Sequence, residues 1–179
     1  MSKLTELRGR IDAREARIGV IGLGYVGLPL AVELGQVGFR ITGFDVDATK
    51  VRALAQGRSY IGDVEPGAVA ALLEQGRFTA TTDFDALAEM DVINICVPTP
   101  LRKTRDPDVS YIAAAVTEIR KHLREGQLVI LGSTTYPGTT HEFVIPMFED
   151  AGLEIGKDFS LAFAPERIDP ANRQFQVKN

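Results

Sequence analysis

From Arg17 onward, short apolar runs alternate with longer segments whose apolar residues return at helical spacing, with no Ser/Gly-rich linker or low-complexity tract between them. Six runs predict strands, over residues 18–21, 40–44, 78–81, 91–97, 127–132 and 159–164. Most are apolar at nearly every position instead of alternating, as parallel strands covered on both faces are. Between them the spacing predicts helices over 27–36, 48–56, 66–75, 109–123 and 139–151. Gly38 and Gly76 stand just past the first and third of these, where a left-handed C-terminal cap is cheap. Ahead of the first strand, residues 1–16 mix charge with Leu4, Leu7 and Ile11, which predicts a short amphipathic helix preceding a main domain over 17–179. Successive βα units joined by right-handed crossovers make an α/β, doubly wound, mostly parallel six-stranded sheet.

Composition narrows the function without naming it. At 179 residues and 45% hydrophobic, the chain is suited to one ordinary domain that buries about 70% of its unfolded surface. Its 20 basic and 24 acidic residues give a net charge of −4 with no block of like charges, so there is no electrostatic footprint for nucleic acid. No apolar run approaches the roughly 18 residues that span a bilayer, and the N-terminus lacks the apolar stretch of a secretory signal. The expected location is the cytoplasm, with no membrane partner. One cysteine, Cys96, excludes an internal disulfide, and two isolated histidines, His122 and His141, give no metal-ligand spacing. Cys96 lies inside an apolar strand run without a cationic neighbour, the setting of an inert packing cysteine.

Candidate chemistry concentrates where the first strand meets the first helix. Gly22, Gly24 and Gly27 form a GxGxxG at that junction. The first glycine permits the tight turn, the second lets the backbone approach a pyrophosphate, and the third lets helix and strand pack closely. The helix N-terminus adds unpaired N–H groups and partial positive charge. Three glycines alone could simply make a close turn, but the next strand ends in GFDVD, which places Asp45 about 20 residues on, where a carboxylate accepts ribose hydroxyls. That pairing predicts a dinucleotide in a Rossmann-type fold. Asp45 would repel a 2′-phosphate, which favours NAD over NADP. Lys50 and Arg52 could reach a phosphate, yet on the following helix they read as solvated surface charges.

Two later loops leave the carboxyl ends of strands, where ligands bind in such sheets. CVPTP places Pro98, Thr99 and Pro100 after the fourth strand, and STTYPGTT places Ser133, Thr134 and Thr135 after the fifth. Their hydroxyls could hold a nicotinamide ribose or a reactive water, or Ser133, Thr134 and Thr139 could cap the helix that follows.

IGLGYVGLPLA, CVPTP, STTYPGTT and APERIDPAN occur here in the order and approximate spacing of the NDP-sugar 6-dehydrogenases. The sequence resembles the NAD-binding domain of that UDP-glucose/GDP-mannose dehydrogenase family. The STTYPGTT and PER forms look most like the branch acting on UDP-N-acetylglucosamine or UDP-N-acetylmannosamine. The resemblance implies oxidation of a sugar C6 alcohol to the carboxylate with two NAD, through an enzyme-bound thioester. By position, it implies that Gly22, Gly24, Tyr25, Val26 and Gly27 surround the pyrophosphate and Asp45 the adenosine ribose. Pro98, Thr99, Ser133 and Thr134 would then lie on the nicotinamide side. Thr134 would also help hold the catalytic water, and Glu166 would be the carboxylate assisting thioester hydrolysis. The alternative for Glu166 is an ordinary exposed glutamate at a strand end.

Three positions depart from the family pattern. Pro170 stands where the UDP-glucose branch has a second glutamate, Ala171 replaces the usual glycine, and Gly132 replaces a more usual Lys or Glu. The family's nucleophilic cysteine and most of its sugar contacts belong to a central helix and second domain beyond Asn179, so this chain is expected to lack turnover by itself. Full-length members dimerise through that helix, and this chain is expected to be monomeric. Other readings are a stand-alone dinucleotide-binding module, a UDP-glucose 6-dehydrogenase domain, and a β-hydroxyacid dehydrogenase, which CVPTP and PER fit poorly.

Overall fold

The computed structural model describes residues 3–103 and 107–165. Among these, six strands form one sheet: β1 (Arg17–Ile21), β2 (Arg40–Phe44), β3 (Phe78–Thr81), β4 (Val92–Ile95), β5 (Leu128–Leu131) and β6 (Ser160–Phe163). The order is β3-β2-β1-β4-β5-β6 and every pairing is parallel. The chain starts at the centre with β1, winds outward through β2 and β3, then returns to the other side of β1 with β4. The sheet therefore reverses between β1 and β4, the switch point at which doubly wound sheets open a ligand crevice.

Helices α1 (Lys3–Asp12), α2 (Gly27–Gln36), α3 (Ala48–Ala55), α4 (Ala68–Glu74) and α5 (Ser110–His122) fall close to the predicted segments. Parallel strands need crossovers, so both sheet faces are covered and each face carries its own core. On one face Leu28, Ala31, Val32, Leu54 and Leu72 pack on Ile18 and Val20. On the other, Ile112, Val116, Ile119 and Phe148 pack on Ile93, Ile95 and Val129. Gly38 (φ 111°) and Gly76 (φ 64°) end α2 and α4 as predicted, each within a pair of closing bonds: Phe39 N–H to Leu34 O and Gly38 N–H to Gly35 O, and Arg77 N–H to Leu72 O and Gly76 N–H to Leu73 O.

Two stretches differ from the periodicity. The single helix predicted over 139–151 is instead a π-type segment, Thr139–Val144, then a short α6 (Ile145–Phe148) and a 3-10 turn, Glu149–Ala151. Pro146 lacks the N–H that a regular helix needs and its ring crowds the carbonyl four residues back, so the chain widens before it. A 3-10 segment, Phe84–Glu89, has no counterpart among the predicted elements; it is started by Asp83, whose carboxylate accepts the Asp85 N–H.

At the amino end of the sheet, Asp91 is buried and bracketed by Arg10 of α1 at 2.6 Å and Arg124 at 2.9 Å, and it accepts the Arg17 N–H at 2.8 Å. With Leu7 buried beneath it, this cluster ties α1 to the sheet. The buried Gln127 amide completes this end, donating to the Leu87 and Met90 carbonyls.

Candidate cofactor site

Strand register fixes the site. Ile21 pairs with Phe44 and with Ile95, Phe44 with Thr81, and Ile95 with Leu131. The next residue on each strand, Thr82, Asp45, Gly22, Cys96 and Gly132, therefore forms one row along the carboxyl edge. All five border a cleft of about 1200 Å³.

The three motif glycines have three separate physical reasons. Gly22 has φ 91°, and a Cβ there would lie 2.6 Å from the Cys96 carbonyl oxygen, so strand closeness and backbone sign both demand glycine. A Cβ on Gly27 would lie 1.8 Å from the Gly22 carbonyl oxygen, which makes Gly27 the packing glycine of the turn. Gly24 has neither constraint: its φ is not positive and a Cβ would meet nothing within 4 Å, and the residue borders the cleft. The space a side chain would take is open cleft.

Behind that space begins α2. Its N-cap is Val26, which has no side-chain oxygen to offer, and its first turn holds no acidic residue. The Leu28 N–H is already given to the Gly24 carbonyl at 3.1 Å and Pro29 has none, so the Val26 and Gly27 N–H groups, with the positive dipole end, remain available to an anion.

Asp45 is 6% exposed at the end of β2. One carboxylate oxygen accepts the Leu23 N–H at 2.9 Å and faces Lys50 Nζ at 3.3 Å; the other accepts the Asp47 N–H at 2.9 Å. A carboxylate has about four acceptor sites, so three are already engaged. A ribose seated here would share Asp45 with Lys50, whose half-exposed side chain can yield. Lys50 thus borders the cleft as the ion-pair partner of Asp45, not as the solvated surface charge its helix position suggested. Arg52 is on the surface, bonded to Thr49. Asp47 caps α3 through the Thr49 N–H, which holds its carboxyl below the usual value.

The two hydroxyl loops are stitched together. Ser133 is buried and donates to the Val97 carbonyl at 2.8 Å, while Thr99 donates to the Thr134 carbonyl at 2.6 Å. With their protons so committed, Ser133 and Thr99 offer a ligand only acceptor lone pairs. Thr134 is exposed in the cleft. None of Ser133, Thr134 and Thr139 caps the following segment, whose N-cap is Gly138; Thr139 donates to Tyr136 O at 2.8 Å. Gly132 also has a steric basis, since a Cβ would come within 3.2 Å of the Ile95 oxygen.

Of the residues singled out by sequence, Gly22, Gly24, Tyr25, Val26 and Asp45 border the cleft at its β1/β2 side. Pro98, Thr99, Ser133 and Thr134 border it at the β4/β5 side, Gly27 packs behind it, and Glu166 lies outside the described residues. Sequence reasoning missed Phe84, Tyr111 and Glu118, which wall the same cleft from the 3-10 segment and α5. Each is an ordinary member of its own element, and only the crossover brings them together. Among the described residues no group of His, Cys, Asp and Glu could hold a metal, and no helix is long and apolar enough to cross a membrane.

A model of the NAD binding domain of the UDP-glucose/GDP-mannose dehydrogenase family matches residues 16–179. The chain belongs to this family. The UDP-N-acetyl-D-glucosamine 6-dehydrogenase of Pseudomonas aeruginosa is 35% identical over 167 residues, covering 93% of this chain and 39% of that protein. The GDP-mannose 6-dehydrogenase of the same species is 43% identical over 159 residues, covering 84% and 36%. A crystal structure of a ternary complex of that GDP-mannose dehydrogenase superposes with TM-score 0.79 at 40% identity, over 87% of this chain and 37% of the other. The chain thus spans under two fifths of these relatives' length, and the shared part is the family's NAD-binding domain. NAD is the cofactor of this domain, and the residues fit it: open space at Gly24, an uncapped helix end and a buried carboxylate lie on one cleft wall.

Proposed function

We propose that the chain is the cofactor half of an NDP-sugar 6-dehydrogenase that oxidises the C6 alcohol of a UDP-N-acetyl-hexosamine to the uronate with two NAD. Its parts are an N-terminal segment over residues 1–16 that carries α1 and a Rossmann domain over 17–179. The supporting observation is the row of strand-end residues that puts Gly22, Asp45 and Cys96 on one cleft, with Gly24 leaving room for a ligand. When bound, NAD supplies the hydride acceptor. Gly24, Tyr25 and Val26 bind the pyrophosphate at the α2 N-terminus, and Asp45 accepts the adenosine ribose and disfavours a 2′-phosphate. Pro98, Thr99 and Ser133 shape the nicotinamide end, where Thr134 presents its hydroxyl to a water. Glu166, following β6, is the carboxylate that assists thioester hydrolysis.

A thioester needs an accessible, activated thiolate. Cys96 is buried between the β1 and β5 turns and does not supply one. The 179-residue chain is therefore expected to bind NAD without turning over sugar nucleotide. A second substrate reading, GDP-mannose, is favoured by the 43% identity to a GDP-mannose 6-dehydrogenase. Calorimetric titration with NAD and NADP, followed by assay of NADH formation with UDP-N-acetyl-hexosamines and GDP-mannose, tests the proposal. NAD binding well above NADP with no turnover is expected; steady NADH production by this chain would overturn the reading.

A further inference from the structure

The residue between the first two glycines, Leu23, is held from three sides. Its side chain is fully buried against Gly43, where an added Cβ would lie 2.8 Å from it. Its N–H is donated to Asp45 at 2.9 Å, and its carbonyl accepts the Tyr60 hydroxyl at 2.7 Å. Tyr60 comes from the irregular stretch between α3 and α4 and does not border the cleft. That stretch is itself pinned, since Ile61 and Val64 are buried and the Ser59 hydroxyl bridges the Ile61 N–H and carbonyl. Burial and the nearby Asp45 and Asp47 charges push the Tyr60 phenol above its ordinary pKa, so it stays a donor throughout the working pH range.

A trans peptide is planar, with its C=O and N–H pointing in opposite directions. No cis peptide bond occurs among the described residues. Fixing the Leu23 carbonyl on Tyr60 therefore fixes the Gly24 N–H on the opposite side of the same plane. That N–H has no protein acceptor among the described residues, and Gly24 borders the cleft. Rotation of this peptide turns mainly the Leu23 ψ and the Gly24 φ, and glycine accepts nearly any φ. The glycine that admits a ligand thus also leaves the peptide free to flip unless something holds its carbonyl.

We propose that Tyr60 is a positioning residue for the dinucleotide: through the Leu23 carbonyl it holds the Leu23–Gly24 peptide with the Gly24 N–H aimed into the cleft before the ligand arrives. The inference rests on the cleft being the NAD site. Tyr60→Phe keeps the ring and removes only the hydroxyl. The test compares wild-type and Tyr60→Phe chains, labelled with nitrogen-15, by amide relaxation dispersion, by titration with NAD, ADP-ribose and adenosine, and by thermal unfolding. The Gly24 amide is expected to show millisecond exchange only in the variant. NAD and ADP-ribose should weaken about three- to tenfold, as loss of one hydrogen bond allows, with adenosine unchanged. A residue that only supports the fold would lower the melting temperature and leave the affinities of the folded chain alone. Equal NAD affinity together with an equally rigid Gly24 amide overturns the proposal. If NAD fails to move the Gly24 and Asp45 signals in the wild type, the site assignment falls instead, and the Gly24 dispersion in the ligand-free chains still decides the role of Tyr60.

Discussion

Alanine at Gly24 and alanine at Gly27 should have opposite consequences, although both alter the same motif. At Gly27 the new Cβ would sit 1.8 Å from the Gly22 carbonyl oxygen. Ordinary carbon–oxygen contacts lie near 3.3 Å, so backbone must move by roughly 1.5 Å in a turn wedged between two strands. Overpacking of that kind costs about 3 kcal/mol or more, which for a domain of this size lowers the melting temperature by at least about 6 °C. At Gly24 no atom lies within 4 Å of the new Cβ and the backbone φ is not positive. Alanine there should leave the fold intact, or stabilise it by about 0.4–1 kcal/mol through the less flexible unfolded chain. Its methyl group would occupy the open cleft and hold a pyrophosphate off its N–H donors, with loss of about 1.5–3 kcal/mol of charge-assisted hydrogen bonding, or roughly 10- to 100-fold in NAD affinity. Thermal unfolding followed by circular dichroism, paired with calorimetric titration, separates the two. Gly24→Ala binding NAD like the wild type, or melting as low as Gly27→Ala, would refute the reasoning.

Other outcomes follow from the same geometry. Asp91→Ala removes the carboxylate shared by Arg10, Arg124 and the Arg17 N–H, while Arg124 keeps the Ala88 and Met90 carbonyls. Both arginine side chains are about two fifths exposed and can rehydrate, so about 2–3 kcal/mol is expected, a fall of roughly 4–12 °C by calorimetry with NAD affinity unchanged. Asp45→Ala removes both the proposed ribose acceptor and the anchor of the Leu23 N–H, and calorimetry should show NAD weakened tenfold or more, in line with a lost charge-assisted hydrogen bond, and its margin over NADP narrowed. Bonds from the Ser110 hydroxyl and N–H, with Arg102 beside them, bring the Asp108 carboxyl down to about 2. A carboxyl lowered in the folded chain stabilises it above the unfolded value of 3.8, and that contribution is lost as pH falls through about 2. Protection of the first α5 amides from hydrogen exchange should therefore decline over that window in the wild type, and Asp108→Asn should abolish the dependence.

The sheet and the glycine turn were legible in the sequence because their causes are local. Strands buried on both faces read as apolar runs, and α2 begins at the glycine that packing demands. Gly38 and Gly76 announced helix ends because glycine takes the required left-handed φ at no cost. Pro146 carried the signal that the last predicted helix would be irregular, but the apolar period around it was the stronger pattern. What stayed hidden depends on contacts between distant residues. Tyr60 meets Leu23 across 37 positions, and Asp91 meets Arg10 across 81. An aspartate heading an apolar strand is a sign that a buried partner waits, though its identity is set by topology. Lys50 was misjudged for the same reason: helix phase says which side it faces, not that Asp45 stands there.

The central claim is that NAD lies across the β1/β4 switch point with its pyrophosphate on the Gly24 side of α2. A crystal structure of the 179-residue chain with NAD tests this most directly. The account predicts the pyrophosphate against Gly24, Tyr25 and Val26, the adenosine ribose on Asp45 with Lys50 displaced or shared, and the nicotinamide beside Thr134. A dinucleotide bound elsewhere, or with its ribose away from Asp45, would contradict it.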